Sequence, residues 1–396
     1  MNVPKLRFKA DDGSEFPEWE EKKLRNLFPY IRNGFVGVVT DYFCSRDEGV
    51  EYIEGTNIHD GHIDDVIDLY VTHEFDERHI NSRLKKDDIV MVQSGHVGEC
   101  AVVGSHHENA NCHALIVMSN GGHVVSEFYV AYFYSGSGKN VISFIQTGNT
   151  VKHILASEMK KIIVPYPSLP EQKKIASFLS TIDEIIQSTE SELTAWQERK
   201  KGVMQKIFNR EVRFKADDGS EFPEWEEKRL DEVVEFLDGL RKPLEAGERV
   251  AGPYPYYGAS GIIDYVENYI FDDELILLSE DGANIIDRNY RVAFLAKGKY
   301  WVNNHAHVLK AVDSNVNYFI CEQLESFDYR KYNSGGAQPK LNQATCRSII
   351  MRMPCVEEQK KIADCLSSLD DVINQIDAEL SAWKEFKKGL LQQMFV

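Results

Sequence analysis

The sequence predicts an α+β chain: two mixed α/β bodies, each followed by one long helix, with the two helices pairing as a coiled coil. Three observations predict it. Residues 171–208 form a 38-residue stretch without Pro, in which Ile182, Ile186, Leu193, Trp196, Val203 and Ile207 recur at 4-3-4-3 spacing. Thr189 and Lys200 fill the remaining slots, and this spacing is the seam of a coiled coil. Residues 358–395 repeat the stretch 187 positions later without a gap. The seam returns there at Leu369, Ile373, Ile376, Leu380, Trp383, Leu390 and Met394, with Lys387 in the slot of Lys200. Third, residues 7–22, RFKADDGSEFPEWEEK, recur unchanged at 213–228.

A helix of this length runs roughly 57 Å at 1.5 Å per residue. No small core covers that, and the second copy supplies a partner inside the same molecule. Thr189 has Ile376 as its counterpart, so the two halves are not equivalent.

The chain divides in order into a leader with the first body (1–168), a first helix (169–210), a second leader with the second body (211–354) and a second helix (355–396). In each leader Pro17 or Pro223 precedes Trp19 or Trp225, which predicts a turn whose Trp packs against the start of the body. The first body carries β-rich runs at 88–93, 99–103 and 114–118, punctuated by Gly95, Gly98, Gly104, Gly121 and Gly122. Residues 126–135 predict a helix, 136–139 a polar loop and 148–154 a helical turn. Residues 160–167 predict a strand stopped by Pro165 and Pro167.

The second body follows the same order. Residues 254–263 predict a Tyr- and Gly-rich loop, 274–279 a buried strand with a turn after it, and 291–295 and 307–311 further strands. A helix at 317–327, a Gly turn at 335–341 and a strand over 347–353 complete it. The leaders are offset by 206 residues and the helices by 187, so the first body is 19 residues longer. Gly148 and Gly335 keep the 187-residue offset, as do Pro167 and Pro354. The shared frame therefore begins before the helix. Like parts build a frame, and the unlike bodies do two different jobs.

Composition bounds the function. The 396 residues allow two or three domains. No apolar run approaches the ~20 residues of a membrane span, and the first residues lack an apolar signal core. The seven cysteines include no CxxC pair and predict reduced packing thiols, hence a cytoplasmic chain. A net charge of -18 excludes broad nonspecific affinity for nucleic acid, so any such binder must concentrate its Lys and Arg on one face.

No catalytic engine is legible. There is no phosphate-loop motif, since Phe133 stands where its first Gly belongs before Gly138 and Lys139. No dinucleotide fingerprint follows a strand, the amino-methyltransferase tetrad is absent and no HExxH occurs. Ten of the twelve His lie in the first body, including His106, His107 and His113, but their spacing fits no zinc template, so neither catalytic nor metal residues are assigned.

The run PSLPEQKKIA at 167–176, with Leu179, Ile182 and Asp183, resembles the conserved region of type I restriction-modification specificity subunits. So does EQKKIA at 358–363, with Leu366, Leu369 and Asp370. The bodies resemble that family's target recognition domains, through YYGASGI at 256–262 and the Gly that stands six residues before Ile154 and before Leu341. The resemblance covers the whole chain. It implies that each body reads half of an interrupted double-stranded DNA site and that the helices pair antiparallel and set the spacing. It further implies that methyltransferase subunits (two of them) and restriction subunits dock on the chain. It implies no cofactor here, with S-adenosylmethionine and ATP/Mg bound only by those partners, and no membrane.

Base edges are read by polar and cationic side chains. On this resemblance the expected DNA contacts in the first body are Gln93, Ser94, His96, Lys139, Asn140, Asn149 and Lys152. In the second they are Arg241, Lys242, Tyr257, Ser260, Asn303, Asn304, Gln338 and Lys340. The departure is charge. Residues 24–168 carry 11 Lys and Arg against 18 Asp and Glu, net -7, and residues 230–354 carry 13 against 18, net -5. Two other readings compete: a bivalent protein-binding adaptor on the same scaffold, and a self-contained modification enzyme, against which the missing cofactor motif counts.

Overall fold

The computed structural model describes residues 4–312, 316–336 and 338–395; Ala337, in the predicted Gly turn, lies outside the described residues. Contacts divide the chain into two compact units, Met1–Glu190 with Ala378–Val396, and Ser191–Asp377. Each unit joins one body to the start of one long helix and the end of the other.

In the first unit the central sheet runs Tyr30–Asn33, Leu115–Ser119, Ile89–Val92, Cys100–Val102, all antiparallel. Alternation along its inner strands feeds two cores, as a two-residue period requires. Ile89, Met91, Ile116 and Met118 pack with Phe128 and Tyr129 of the helix Ser126–Tyr134. Val90, Val92, Leu115 and Val117 point the other way, to Ile53 and Leu84. The second unit repeats the plan with Val234–Phe236, Ala306–Ala311, Leu275–Ser279 and Ala293–Ala296 in the same order. Unlike sequences thus share one sheet topology.

The long helices are Leu169–Phe208 and Val356–Met394. In the first unit, Ile175, Leu179 and Ile182 from the start of one helix share a core with Leu390, Leu391 and Met394 from the end of the other. In the second unit, Ile362 and Leu366 share a core with Met204, Ile207 and Phe208. A start against an end means antiparallel pairing in each unit. Of the expected seam, Ile182, Ile207, Ile376, Leu380, Leu390 and Met394 are buried, and Ile186, Leu193, Trp196, Val203, Leu369, Ile373 and Trp383 half-buried. The two seam lysines are paired reciprocally: Lys200 with Asp370 (2.7 Å) in the second unit, and Lys387 with Asp183 in the first. Those aspartates are themselves 187 residues apart.

The identical leaders latch onto the helix starts. Arg7 donates from Nε and Nη2 to Glu171 at 3.0 and 2.9 Å, and Arg213 does the same to Glu358 at 3.1 and 2.8 Å. Both carboxylates are fully buried, so they require such a charge-assisted fork. Gln172 and Gln359 cap the carbonyls of Pro167 and Pro354 at 2.8 and 2.7 Å, and Lys174 and Lys361 reach Asp11 and Asp217. This accounts for the EQKK run appearing twice.

Several elements differ from the sequence reading. Residues 136–139 are the first turn of a helix, Gly136–Ile145, because the Ser135 hydroxyl caps it by accepting from the Gly138 amide at 3.1 Å. Residues 148–154 are a closed loop, and the helical turn lies later, at Ala156–Met159. Residues 254–263 are a β-hairpin, Ala251–Gly258 with Gly261–Val266, and not a loop. Pro165 sits within the strand Ile163–Tyr166, opposite Glu21 in a two-stranded sheet, where a missing ladder donor is tolerated. The expected strand at 347–353 is confined to Ile350–Met353, after a short helix. Trp19 packs on Phe128 and Trp225 on Phe319, each in the helix of its body, and each shares a core with the start of that body, Leu24 and Leu27 or Leu230 and Val233. All seven cysteines are free thiols. Among the described residues no helix is long and apolar enough to cross a membrane.

Candidate nucleic-acid interface

The same pair of loops appears in both bodies. In the first, the Thr147 amide and carbonyl exchange 2.8 Å hydrogen bonds with His153, closing the loop that carries Asn149 and Lys152. His153 also bridges to Ser94, and the Ile154 amide donates to the Gln93 carbonyl at 3.0 Å. The loop holding Gln93, Ser94 and His96 therefore lies beside the loop holding Asn149 and Lys152. In the second body the Ser334 amide donates to the Lys340 carbonyl (2.8 Å), Lys340 bridges to Asp281, and the Leu341 amide donates to the Glu280 carbonyl (2.7 Å). Every one of these positions is its counterpart plus 187.

Glycine makes both loops possible. A Cβ on Gly148, at φ +94°, would lie 2.2 Å from the Val151 carbonyl oxygen, and one on Gly335 would lie 2.0 Å from that of Gln338. A side chain would break either closure.

Around the first pair, His96, Asn149 and Lys152 are exposed, and Gln93 and Ser94 half-buried. The Gln93 side-chain oxygen is buried without a hydrogen-bond partner. Lys139 and Asn140 are exposed on the helix Gly136–Ile145, together with Phe144, which is 90% exposed. That helix packs on the same segment through Ile142, which would meet a Cβ on Gly98 at 3.3 Å.

Around the second pair, Arg241 is drawn into the protein. It donates to Glu280 at 2.8 Å and to the Ala306 carbonyl at 2.7 Å, so its charge is matched. Lys340 Nζ is 3.5 Å from the other Glu280 oxygen and remains half-exposed. Lys242, Ser260, Asn304 and Gln338 are exposed, Ser260 at the hairpin turn. The Lys242 carbonyl accepts from Trp301 Nε1 at 2.6 Å. Asn303 is buried at 4% and its side-chain oxygen accepts the His305 amide at 2.8 Å, which makes it a turn former. Tyr257 packs between Phe294 and Tyr300, and burial raises its hydroxyl pKa. The structure thus brings Arg241 and Lys340 together on Glu280, with the Asn304 carbonyl beside Arg241, Asn303 buried and Tyr257 half-buried.

The sequence reading did not single out Glu280, Asp281, His305 or Phe144. Glu280 and Asp281 were detectable, because the 187-residue offset maps them onto Gln93 and Ser94. Among the described residues one group, Glu51, His106 and His107, brings three metal-ligand atoms within 4.8 Å of one another. Within it His107 Nδ1 lies at hydrogen-bond distance, 2.9 Å, from Glu51 Oε2.

Comparison with known proteins agrees with this architecture. The family model for the type I restriction modification DNA specificity domain matches residues 17–195 and again 223–382. A Haemophilus influenzae protein assigned to the type I restriction enzyme specificity subunits is 37% identical over 161 residues, 41% of this chain and 40% of that protein. A type I restriction enzyme specificity subunit of Methanocaldococcus jannaschii is 24% identical over 422 aligned positions, covering 97% of this chain and 94% of its own length. The crystal structure of an S subunit from M. genitalium shares the fold at a TM-score of 0.61 and 18% identity, covering 100% of this chain and 99% of that one. A second solved chain, from a type I R-M system, superimposes at a TM-score of 0.54 and 14% identity, over 95% and 97% of the two chains. With both halves matched by the family model and the duplicated frame intact, the chain belongs to the type I restriction-modification specificity subunits.

Proposed function

We propose that the two bodies, within 1–168 and 211–354, each read one half of a bipartite double-stranded DNA site through the paired loops. The helices, 169–210 and 355–396, set the spacer between the halves and form the docking frame for methyltransferase and restriction subunits. The chain itself is a non-catalytic reader. S-adenosylmethionine chemistry and ATP-driven cleavage belong to the partners.

One observation carries this reading. Two backbone hydrogen bonds of the loop pair, Thr147 to His153 and Ile154 to Gln93, recur at a constant offset of 187 residues as Ser334 to Lys340 and Leu341 to Glu280, while its side chains differ completely: Gln93, Ser94, Asn149 and Lys152 against Glu280, Asp281, Gly336 and Pro339. A constant frame with changed side chains is what two different base sequences demand. The contacts proposed for the first body are Gln93, Ser94, His96, Lys139, Asn140, Asn149 and Lys152. For the second they are Lys242, Ser260, Asn304, Gln338 and Lys340, with Arg241 in support.

Neither body is basic, so the isolated chain binds DNA weakly and with a steep salt dependence, and partner subunits contribute much of the phosphate contact. The test is a genome-wide adenine-methylation map with this chain and its methyltransferase expressed together. A bipartite motif is expected, and exchanging one body must change one half of it only. A continuous motif, or methylation unaffected by the exchange, overturns the reading.

A further inference from the structure

A buried cation lies behind the second body's loops and has no equivalent in the first. His307, on the strand Ala306–Ala311, is 1% exposed. Its Nδ1 is 2.7 Å from Asp238 Oδ2 and its Nε2 is 2.8 Å from the Leu341 carbonyl oxygen. Both partners only accept, so both ring nitrogens carry protons and the ring is an imidazolium. Burial is the largest single influence and pulls its pKa down, but hydrogen bonding and charge attraction from Asp238 and Cys346 together outweigh it, and the ring is pushed up to about 10. Asp238 also accepts from the Val308 amide (2.9 Å) and from Gln343 Nε2 (2.7 Å). The other titratable groups facing the pair are Glu280, 3.7 Å from His307 Nδ1, Arg241, 3.5 Å from Asp238 Oδ2, and the buried Cys346 thiol, which acts on the His307 ring.

The imidazolium joins three elements. Asp238 opens the turn Asp238–Leu240, which delivers Arg241 and Lys242. Leu341 follows the closed loop bearing Gln338 and Lys340. His307 ties both to the central strand. Strand register identifies the matching position in the first body. His307 pairs with Leu278, Ile116 pairs with Met91, and residues 278 and 91 keep the 187-residue offset. Ile116 and Ile154 therefore occupy the places of His307 and Leu341, and both lie fully buried in one apolar core. A buried charge needs a reason where an apolar contact serves equally well, because an imperfectly paired one is costly.

We propose that His307 is a positioning residue for base reading by the second body: with Asp238 it holds the Arg241 and Lys340 loops in one geometry. This rests on the reading of the bodies as half-site readers. The Arg241 turn and the Lys340 loop are otherwise linked through side chains, Gln343 on Asp238 and both Arg241 and Lys340 on Glu280. A charged, two-ended bridge fixes direction as well as distance.

The test uses the full chain reconstituted with its methyltransferase, assayed on duplexes substituted singly in either half-site. His307→Gln is expected to cut discrimination against substitutions in the second body's half roughly tenfold, about the worth of one base contact, and to leave the first half within about twofold. Asp238→Asn combined with His307→Ile installs the residues found at the matching positions of the first body, Asn33 and Ile116. It keeps the body folded while removing the bridge, and is expected to show the same one-sided loss. Unchanged discrimination in both halves, or equal loss in both halves of a folded complex, overturns the proposal, as does failure of both variants to assemble. A wild-type complex that discriminates in neither half refutes the underlying half-site reading instead.

Discussion

Lys200→Met and Lys387→Met place the same change at equivalent seam positions, and the structure predicts unequal losses. Lys200 Nζ lies 2.7 and 2.8 Å from the two Asp370 oxygens and 2.8 Å from Glu322 Oε2, a contact of charge lying off the line of a hydrogen bond. The side chains of Lys200 and Glu322 are 7% and 2% exposed. Removing one member of a buried ion pair costs about 3–5 kcal/mol, because the remaining charge stays desolvated. Arg291 still pairs with Glu322, and the Tyr318 hydroxyl still donates to Asp370, so the lower end, about 3 kcal/mol, is expected. Lys387 and Asp183 are 23% and 26% exposed, so water screens their pair and its loss costs about 1 kcal/mol. The assay is urea unfolding, with hydrogen exchange assigning each transition to its unit. Lys200→Met should destabilise the second unit strongly, and Lys387→Met the first unit weakly. Equal losses, or a larger loss at Lys387, would show that burial does not govern these pairs. Adding Asp370→Leu to Lys200→Met should restore part of the stability, since the pair then packs as apolar groups.

Three further outcomes follow from the geometry. Ala at Gly148 should relax discrimination in the first half-site only and Ala at Gly335 in the second only, read from methylation of singly substituted duplexes, because each Cβ collides with a carbonyl inside its own loop. His307 has its folded pKa raised from 6.5 to about 10, so its contribution is fully present below 6.5 and is lost as pH rises through 10. Denaturant midpoints of the second unit should therefore fall between pH 7 and 10 in the wild type and stay flatter in His307→Gln. One heptad inserted into each long helix adds about 10 Å to its length. Under the proposed ruler the gap in the methylated motif then widens by ~3 base pairs, and an unchanged gap refutes it.

Legibility in the sequence varied with the range of the physics. The long helices were readable because heptad spacing is a local signal, repeated over 38 residues in each copy. Inner strands such as Ile89–Val92 and Leu275–Ser279 were readable as continuous apolar runs. The helix Gly136–Ile145 was missed because its first turn holds two glycines, and the Ser135 cap was not weighed against them. The hairpin Ala251–Gly258 with Gly261–Val266 was obscured by Pro253 and Pro255, though Tyr and Ile flanking a two-residue turn is a hairpin signal. Among the candidate DNA contacts, Arg241 and Asn303 carried the right chemistry for base reading. Their burial depends on Glu280, Ala306 and His305, which no local pattern connects to them.

By itself the sequence determined that the chain is a duplicated frame around two unlike bodies, because identity at a fixed offset needs no tertiary contact to be seen. It also determined the seam and its two lysines. Only the tertiary structure decided what those repeats are for. It placed Arg7 and Arg213 in forks on buried Glu171 and Glu358, and set Asp183 and Asp370 opposite the seam lysines. It also revealed His307 as a buried cation bridging Asp238 and Leu341. Each of these joins residues tens to more than a hundred positions apart. Their energy comes from desolvation and directed hydrogen bonding, and both exist only once the chain has closed around them.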